Sequence, residues 1–434
     1  MVFSLIALYL LIGTGFMQLR IPPTIGAGIP LGELVLLVSL ATINSFVVLG
    51  RMERVAFILP FLIWWGFGLV RAFIGVPEYG MWALRDATHV IESLYLIIGF
   101  AMVGRLDVME RFFRWVPIFL CAAVLYSFGY PFKTELQNFS PVITSGSGHD
   151  VSLFFNYTNT SMLLLLAAAY LILYANKKPH HILYMIAAGA LLMAAILLFQ
   201  ARTVYLQVIA LFVFFLFYKR KSLGKSVVAL VIVGLSIIGL SSLGLQYEGR
   251  LGQMASLEFL INHFVSIAGV ESEGVEASAG GVAQRLGWWS DLFHRWTEGV
   301  GPLIFGLGYG FPLIDFSGRG RVVREPHNSY ISIVARMGLI GIIAWLWMHL
   351  LMLRAWVKAY QCCKRLHWKA GMDRLRLLMV FFVLAWVYAL GEDAFEKPFV
   401  AIPYYFLWGI VLRLSYQLKV DPDVFTSNEY HLKK

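Results

Sequence analysis

A chain of 434 residues that is 59% hydrophobic, 15% aromatic and only 14% charged, with a mean hydropathy of +0.73, has too little charged surface for a soluble protein of its length. It reads as a polytopic integral membrane protein. Its formal charge of +10 would point to nucleic acid in a soluble domain, but in a membrane protein it must first be sorted by side of the bilayer.

Apolar segments of spanning length recur at 2–19, 31–50, 55–75, 88–104, 115–130, 151–175, 181–199, 203–218, 226–245, 328–353, 377–391 and 399–418. They predict an all-α fold of about twelve transmembrane helices, with residues 1–434 forming a single transmembrane domain. The run from Val2 to Leu19 has no basic start and no small-x-small cleavage site, so it is expected to be an uncleaved first span. Cys121 lies in an apolar run and Cys362 and Cys363 in a basic loop; these three form neither a disulfide framework nor a zinc spacing.

With both termini cytoplasmic, the inside loops collect Arg51, Arg54, Arg105, Arg111, Arg114, Lys177, Lys178, Lys219, Arg220, Lys221, Lys225 and the cations from Arg354 to Arg376. Most acids fall outside. Positive charge inside fixes the expected orientation, and the basic excess then needs no nucleic-acid partner.

Most loops are short, but the outside segment 246–326 is far longer than a connector requires, and function is expected to concentrate in it. Its middle, Glu271 to Gly281, is acidic and rich in glycine, alanine and serine, and is expected to be a flexible tract. Leu286, Trp289, Phe293 and Trp296 then fall at helical spacing, which predicts an amphipathic helix lying at the membrane interface. From Gly301-Pro302 to Gly310-Phe311-Pro312, glycine alternates with bulky apolar residues, which predicts a tight coil rather than a helix.

The segment ends at Arg324-Glu325-Pro326-His327-Asn328-Ser329-Tyr330. Pro326 disfavours helix for Glu325, and Asn328 or Ser329 can cap the apolar helix that follows, so His327 should stand on a defined corner at the outer surface, where a histidine can act as a general base. Arg202, in the short outside turn Gln200-Ala201-Arg202-Thr203, is a charge at membrane depth. Such a group faces a cavity or partner, or snorkels from a helix end. Arg285 reads either as a second substrate-binding arginine or as a lipid-phosphate anchor. Two outside arginines can grip a diphosphate through bidentate, charge-assisted bonds and stabilise it as a leaving group, while His327 takes a proton from an attacking hydroxyl. Arg319, Arg321, Arg324 and Asn328 are possible further substrate contacts, although Arg319 and Arg321 suit a basic rim against anionic headgroups better. No metal site is expected. The first outside loop, Arg20 to Pro30, holds no acid, and the only Asp-x-Asp, Asp421 to Asp423, lies in the cytoplasmic tail. Glu392 and Asp393 in the last outside loop read as helix-end acids pairing with Lys397 or an arginine.

Gln200-Ala201-Arg202-Thr203, Arg285 before an aromatic amphipathic helix, the coil Phe305-Gly306-Leu307-Gly308-Tyr309-Gly310, and His327-Asn328-Ser329-Tyr330 leading to Arg336-Met337-Gly338-Leu339-Ile340-Gly341 together resemble the O-antigen ligase and polymerase superfamily. The resemblance covers about residues 150–355 and departs at Gln200-Ala201, where serine or glycine is expected. It implies a GT-C-like membrane glycosyltransferase of the bacterial inner membrane that needs no metal or cofactor and moves glycan from undecaprenyl diphosphate on the periplasmic face. In this chain Arg202 and Arg285 would bind the diphosphate, and His327 would activate or position the acceptor hydroxyl. The acceptor would be lipid A core for a ligase, or a growing O-antigen or exopolysaccharide chain for a polymerase. With no extra soluble domain to bind a protein, a protein O-oligosaccharyltransferase fits less well. A transporter or flippase is the non-enzymatic alternative, but transporters tend to show two related halves, and the segment 246–326 breaks such symmetry.

Overall fold

The computed structural model describes the chain except for residues 23–27, 54–55, 103–105, 146–148, 176–179, 219–233, 235–256, 266–275, 315, 319–320 and 422–434. The described residues are 79% helical, and the strands among them are three two-stranded antiparallel ribbons, so the fold is all-α. The helices are α1 (Val2–Ile12), α2 (Leu31–Thr42), α3 (Ser45–Glu53), α4 (Ile58–Tyr79), α5 (Met81–Asp86), α6 (Thr88–Glu92), α7 (Tyr95–Met102), α8 (Leu106–Ser127), α9 (Lys133–Asn138), α10 (Thr160–Ala175), α11 (His181–Phe199) and α12 (Arg202–Tyr218). After them come α13 (Leu257–Val265), α14 (Glu276–Thr297), α15 (Val300–Phe305), α16 (Ser329–Arg365), α17 (Lys369–Tyr388) and α18 (Pro398–Val420).

Among the described residues, α4, α11, α16 and α18 are long and apolar enough to cross a membrane, and counting two bent helix pairs as single spans gives six. Other apolar segments form shorter helices. The run 2–19 is helical only to Ile12, where Gly13 takes a φ of 64° and ends it. The run 31–50 is bent by 91° between Leu31–Thr42 and Val47–Glu53. The expected span 226–245 falls almost wholly outside the described residues.

The core is built around α18, which is apolar all round and whose spanning window is fully buried; a helix without a polar face belongs inside a bundle. It packs against α1, α7 and α16. Side chains would keep α7 and α18 apart, so small residues meet there. A Cβ at Gly99 would stand 2.1 Å from the Phe406 carbonyl oxygen, and one at Gly409 2.2 Å from that of Leu96. At the end expected to be cytoplasmic, Arg374 of α17 makes a two-pronged ion pair with Glu110 of α8, at 2.6 and 2.7 Å. Two loops expected inside therefore meet each other.

Within the segment 246–326, two expectations change. Glu276 to Gly281, expected to be flexible, begins helix α14; the helix propensity of Glu276, Ala277 and Ala279 outweighs the glycine pair that follows. Residues 271–275 lie outside the described residues. The expected coil from Gly301 is helical up to Phe305 and becomes coil only at Gly306. From there Gly306, Gly308 and Gly310 all take left-handed φ values of 76°, 92° and 93°.

That coil is seated in a break of α16. Gly338 has φ 61° and ψ −159° inside the helix, which frees carbonyls on its N-terminal side. The Leu307 amide donates to Ala335 at 2.7 Å and the Gly308 amide to Arg336 at 3.1 Å. The two backbones touch, since a Cβ at Gly306 would lie 2.4 Å from the Arg336 carbonyl and one at Gly338 2.4 Å from the Gly306 nitrogen.

Candidate functional site

His327 stands on the corner that its neighbours impose. Asn328 is the N-cap of α16, its side-chain oxygen accepting from the amides of Tyr330 at 3.0 Å and Ile331 at 3.2 Å, as a cap residue does. Its nitrogen donates to the Leu390 carbonyl at 3.0 Å, and the Ser329 amide donates to Ala389 at 3.0 Å. On the other side, the Trp289 indole donates to the Pro326 carbonyl at 2.9 Å. His327 between these anchors has a φ of 52°, a left-handed conformation uncommon outside glycine. Asn328, considered above as a substrate contact, is 7% exposed and its side chain serves the cap and the Leu390 bond instead.

The imidazole faces two acids. Its Nδ1 is 3.3 Å from Asp393 Oδ2 and 3.6 Å from Glu392 Oε2. The contact lacks directional hydrogen-bond geometry and acts as an ion pair. Asp393 is buried, whereas the Glu392 side chain is 40% exposed. Asp393, then Glu392, raises the imidazole pKa to about 9 against the opposing effect of burial. Burial would lift Asp393, but His327, Lys397 and Arg285 together outweigh it and leave that carboxyl below its usual range. Burial, then the Asp393 charge, pushes neighbouring Glu396 up to about 8; it accepts a hydrogen bond from Ser329. Glu392 and Asp393, expected to pair with Lys397 or an arginine, are thus partners of the histidine. Contact between two loops far apart in the chain leaves no local pattern to read.

Arg285 and Arg202 come to the same loop. Arg285 of α14 donates through Nη1 to the Gly391 carbonyl at 3.0 Å, immediately before Glu392. Gly391 also abuts the start of α12, since a Cβ there would meet Thr203 Cγ2 at 2.4 Å. Arg202 senses the Arg285 charge. One turn along α12, Tyr205 is hydrogen-bonded to His263 Nδ1 of α13 at 3.0 Å. Burial first, and the Arg202 charge second, hold His263 down to about 4, so it is neutral at neutral pH. Nothing in the sequence marked Tyr205 or His263.

The turn before Arg202 follows the same backbone logic. Gln200 caps α11 in the left-handed region, φ 42° and ψ 44°, where glycine is most at ease. This is the position at which the sequence departs from the superfamily pattern.

Arg324 belongs to a different cluster. It donates to the Gly310 carbonyl at 2.8 Å and lies 3.5 Å from Asp86. Arg336, 1% exposed, joins Glu325 at 2.6 Å and Asp86 at 3.0 Å, and donates to the carbonyls of Gly308 and Phe311. This buried network ties the glycine coil and Glu325 to α16, and so fixes the backbone two residues before His327. Arg321 opens the strand Arg321–Val323, and Arg319 lies outside the described residues. Among the described residues, no group of three or more His, Cys, Asp or Glu is arranged to hold a metal.

Helix α14 has one edge packed against the protein and another turned away from it. Leu292 is 1% exposed and packs with Leu313, Ile314, Ala335 and Trp288, while Leu286 and Phe293 are 54% and 59% exposed. The inward stripe carries Arg285 to the site, and Trp288 sits with its ring centroid 6.3 Å from that of His327.

Fold and site together define a multi-pass helical membrane protein in which a histidine–carboxylate pair and two arginines from separate helices gather about the loop Gly391–Asp393. Residues 187–346 match the family model described as O-antigen ligase, which supports placing the chain in the O-antigen ligase and polymerase superfamily. The match runs from α11 into α16 and includes Arg202, Arg285 and His327. No curated protein matches the sequence.

Proposed function

We propose that the protein is a GT-C-like glycosyltransferase of the bacterial inner membrane, both termini cytoplasmic, that transfers a glycan from undecaprenyl diphosphate to an acceptor sugar hydroxyl on the periplasmic face. The reading is of O-antigen ligase type with lipid A core as acceptor; polymerisation of O-antigen or exopolysaccharide uses the same chemistry. The observation that carries it is the convergence of Arg202, Arg285 and His327 on the loop Gly391–Asp393. All of these were expected on the same side of the membrane, opposite the Glu110–Arg374 pair.

In this reading Arg202 and Arg285 hold the diphosphate. Asp393 holds the Nδ1 edge of His327, leaving Nε2 to the acceptor. The acceptor oxygen attacks the anomeric carbon, and the bond from that carbon to the phosphate oxygen breaks. Its electron pair goes to the diphosphate between the arginines, and the hydroxyl proton passes to His327 Nε2. Charge developing on the leaving group meets donors already in place, where such stabilisation is largest. The resting imidazolium must first release its proton, so the reactive form grows as pH rises toward about 9.

The test is purified protein in detergent with a lipid-diphosphate glycan and an acceptor glycolipid, with and without EDTA. Release of undecaprenyl diphosphate coupled to glycosylated product, unaffected by EDTA, supports the proposal. Uptake of glycan into vesicles without bond cleavage would establish a transporter instead.

A further inference from the structure

The transfer step leaves one buried hydroxyl beside the site unused. Ser329 is buried, opens α16 and follows His327 by two residues. Its Oγ lies 2.5 Å from Glu396 Oε2 and 3.4 Å from the Glu392 carbonyl oxygen, and it accepts from the Phe395 amide at 3.0 Å. One hydroxyl therefore meets three points of the loop that carries Asp393. The bonds from Asn328 to Leu390 and from the Ser329 amide to Ala389 anchor that loop before Asp393. The Ser329 hydroxyl anchors it on the far side, at Phe395 and Glu396, and also at the peptide bond that leads into Asp393.

A hydroxyl has one proton to give and two lone pairs with which to receive. Burial, then the Asp393 charge, pushes Glu396 up to about 8, and Glu325 also opposes its ionisation. Lys397, next in the chain, acts on Asp393, and the hydroxyls of Tyr405 on α18 and Tyr309 in the glycine coil sense Glu396. The second Glu396 oxygen is buried and has no hydrogen-bond partner among the described residues, which also disfavours a carboxylate there. With its proton on, Glu396 donates to Ser329, the Phe395 amide donates to the same oxygen, and the serine proton is left for the Glu392 carbonyl. Every hydrogen-bonding capacity of the hydroxyl is then used. When Glu396 ionises, the hydroxyl turns to the carboxylate, and the contacts with Glu396 and Phe395 still hold the loop.

Resting on the glycosyl-transfer reading, we propose that Glu396 is a positioning residue for it: through the Ser329 hydroxyl it holds the stretch from Glu392 to Phe395 against α16, and so keeps Asp393 facing the Nδ1 edge of His327.

The experiment follows His327 itself, without donor or acceptor, so its outcome does not depend on transfer. The His327 side chain is 33% exposed, within reach of diethyl pyrocarbonate, which acylates the neutral imidazole and not the imidazolium. Modification of the His327 peptide is followed by mass spectrometry from neutral to alkaline pH in full-length wild type, Ser329→Ala, Glu396→Ala and Glu396→Gln. Wild type is expected to show an inflection near 9. In Ser329→Ala and Glu396→Ala it should fall by about one pH unit or more, because Asp393 is no longer held at the ring. Glu396→Gln, whose amide still reaches the serine, should keep most of the rise. Ser329→Ala removes a single buried oxygen, so it decides the matter even where Glu396→Ala does not fold. An unshifted inflection in Ser329→Ala would overturn the proposal. So would a fall in Glu396→Gln as large as that in Ser329→Ala, which would make the effect one of charge. The expected inflections in a protein that releases no undecaprenyl diphosphate would sink the transfer reaction while leaving the positioning of Asp393 standing.

Discussion

His327 Nδ1 lies 3.3 Å from Asp393 Oδ2, a contact between the corner before α16 and the loop before α18. It fixes which ring nitrogen faces the protein, and so which one is open to substrate. In a histidine–carboxylate pair the acid orients the ring and stabilises its charged form without itself being the base.

Compared above pH 9, where His327 is neutral in both forms, Asp393→Asn should therefore turn over about 10² or more slowly than wild type while keeping donor affinity within about twofold. Turnover and donor binding measured on the same preparation check this. Unchanged turnover would mean the acid only packs.

The pH dependence follows from the direction of the shift. A histidine raised to about 9 is protonated below that value, so kcat/KM should climb about tenfold per pH unit through the neutral range and level off near 9. In Asp393→Asn the inflection should move down toward the ordinary histidine value. A profile that instead falls as pH rises through 9 would make His327 a charged donor that orients the acceptor.

Arg202→Lys and Arg285→Lys keep the charge but lose the planar fork that matches a diphosphate. Each should cost at least about tenfold in kcat/KM for the lipid diphosphate. Full activity in both variants would reduce these arginines to headgroup anchors.

Arg336 is buried between Asp86 and Glu325, so Arg336→Met leaves Glu325 without its cation and Asp86 with only the longer contact to Arg324. Breaking a buried ion pair from one side costs about 3–5 kcal/mol, and thermal unfolding of the purified protein should register the loss. Adding Asp86→Asn and Glu325→Gln to the same variant should recover part of it, because the uncompensated charges are then gone.

Much of this was legible because apolar runs and breaks in them are local signals. The corner at His327, its cap at Asn328 and the helix carrying Arg285 all follow from Pro326, Asn328 and the spacing of apolar residues. The acids facing His327 were not legible, since the pairing depends on how α16, α17 and α18 pack around the loop between them. Arg324, placed provisionally with the substrate, is drawn off by Asp86 on α5, another long-range contact. On α14, Leu286 and Phe293 share the apolar stripe with Trp289 and Trp296, and hydrophobicity alone does not say which edge of such a stripe turns inward; Leu292 and Trp288 do. Bends such as the one between α2 and α3 left no mark on hydropathy, which is one reason why, among the described residues, some apolar segments are not single full-length helices.

His327 is proposed to carry out glycosyl transfer from a lipid diphosphate. The direct measurement is single-turnover product formation by wild type and His327→Ala, with lipid-diphosphate binding followed in parallel. His327→Ala should bind the donor with near wild-type affinity, fold normally and form no product. Product formation by His327→Ala at a rate near that of wild type would contradict it.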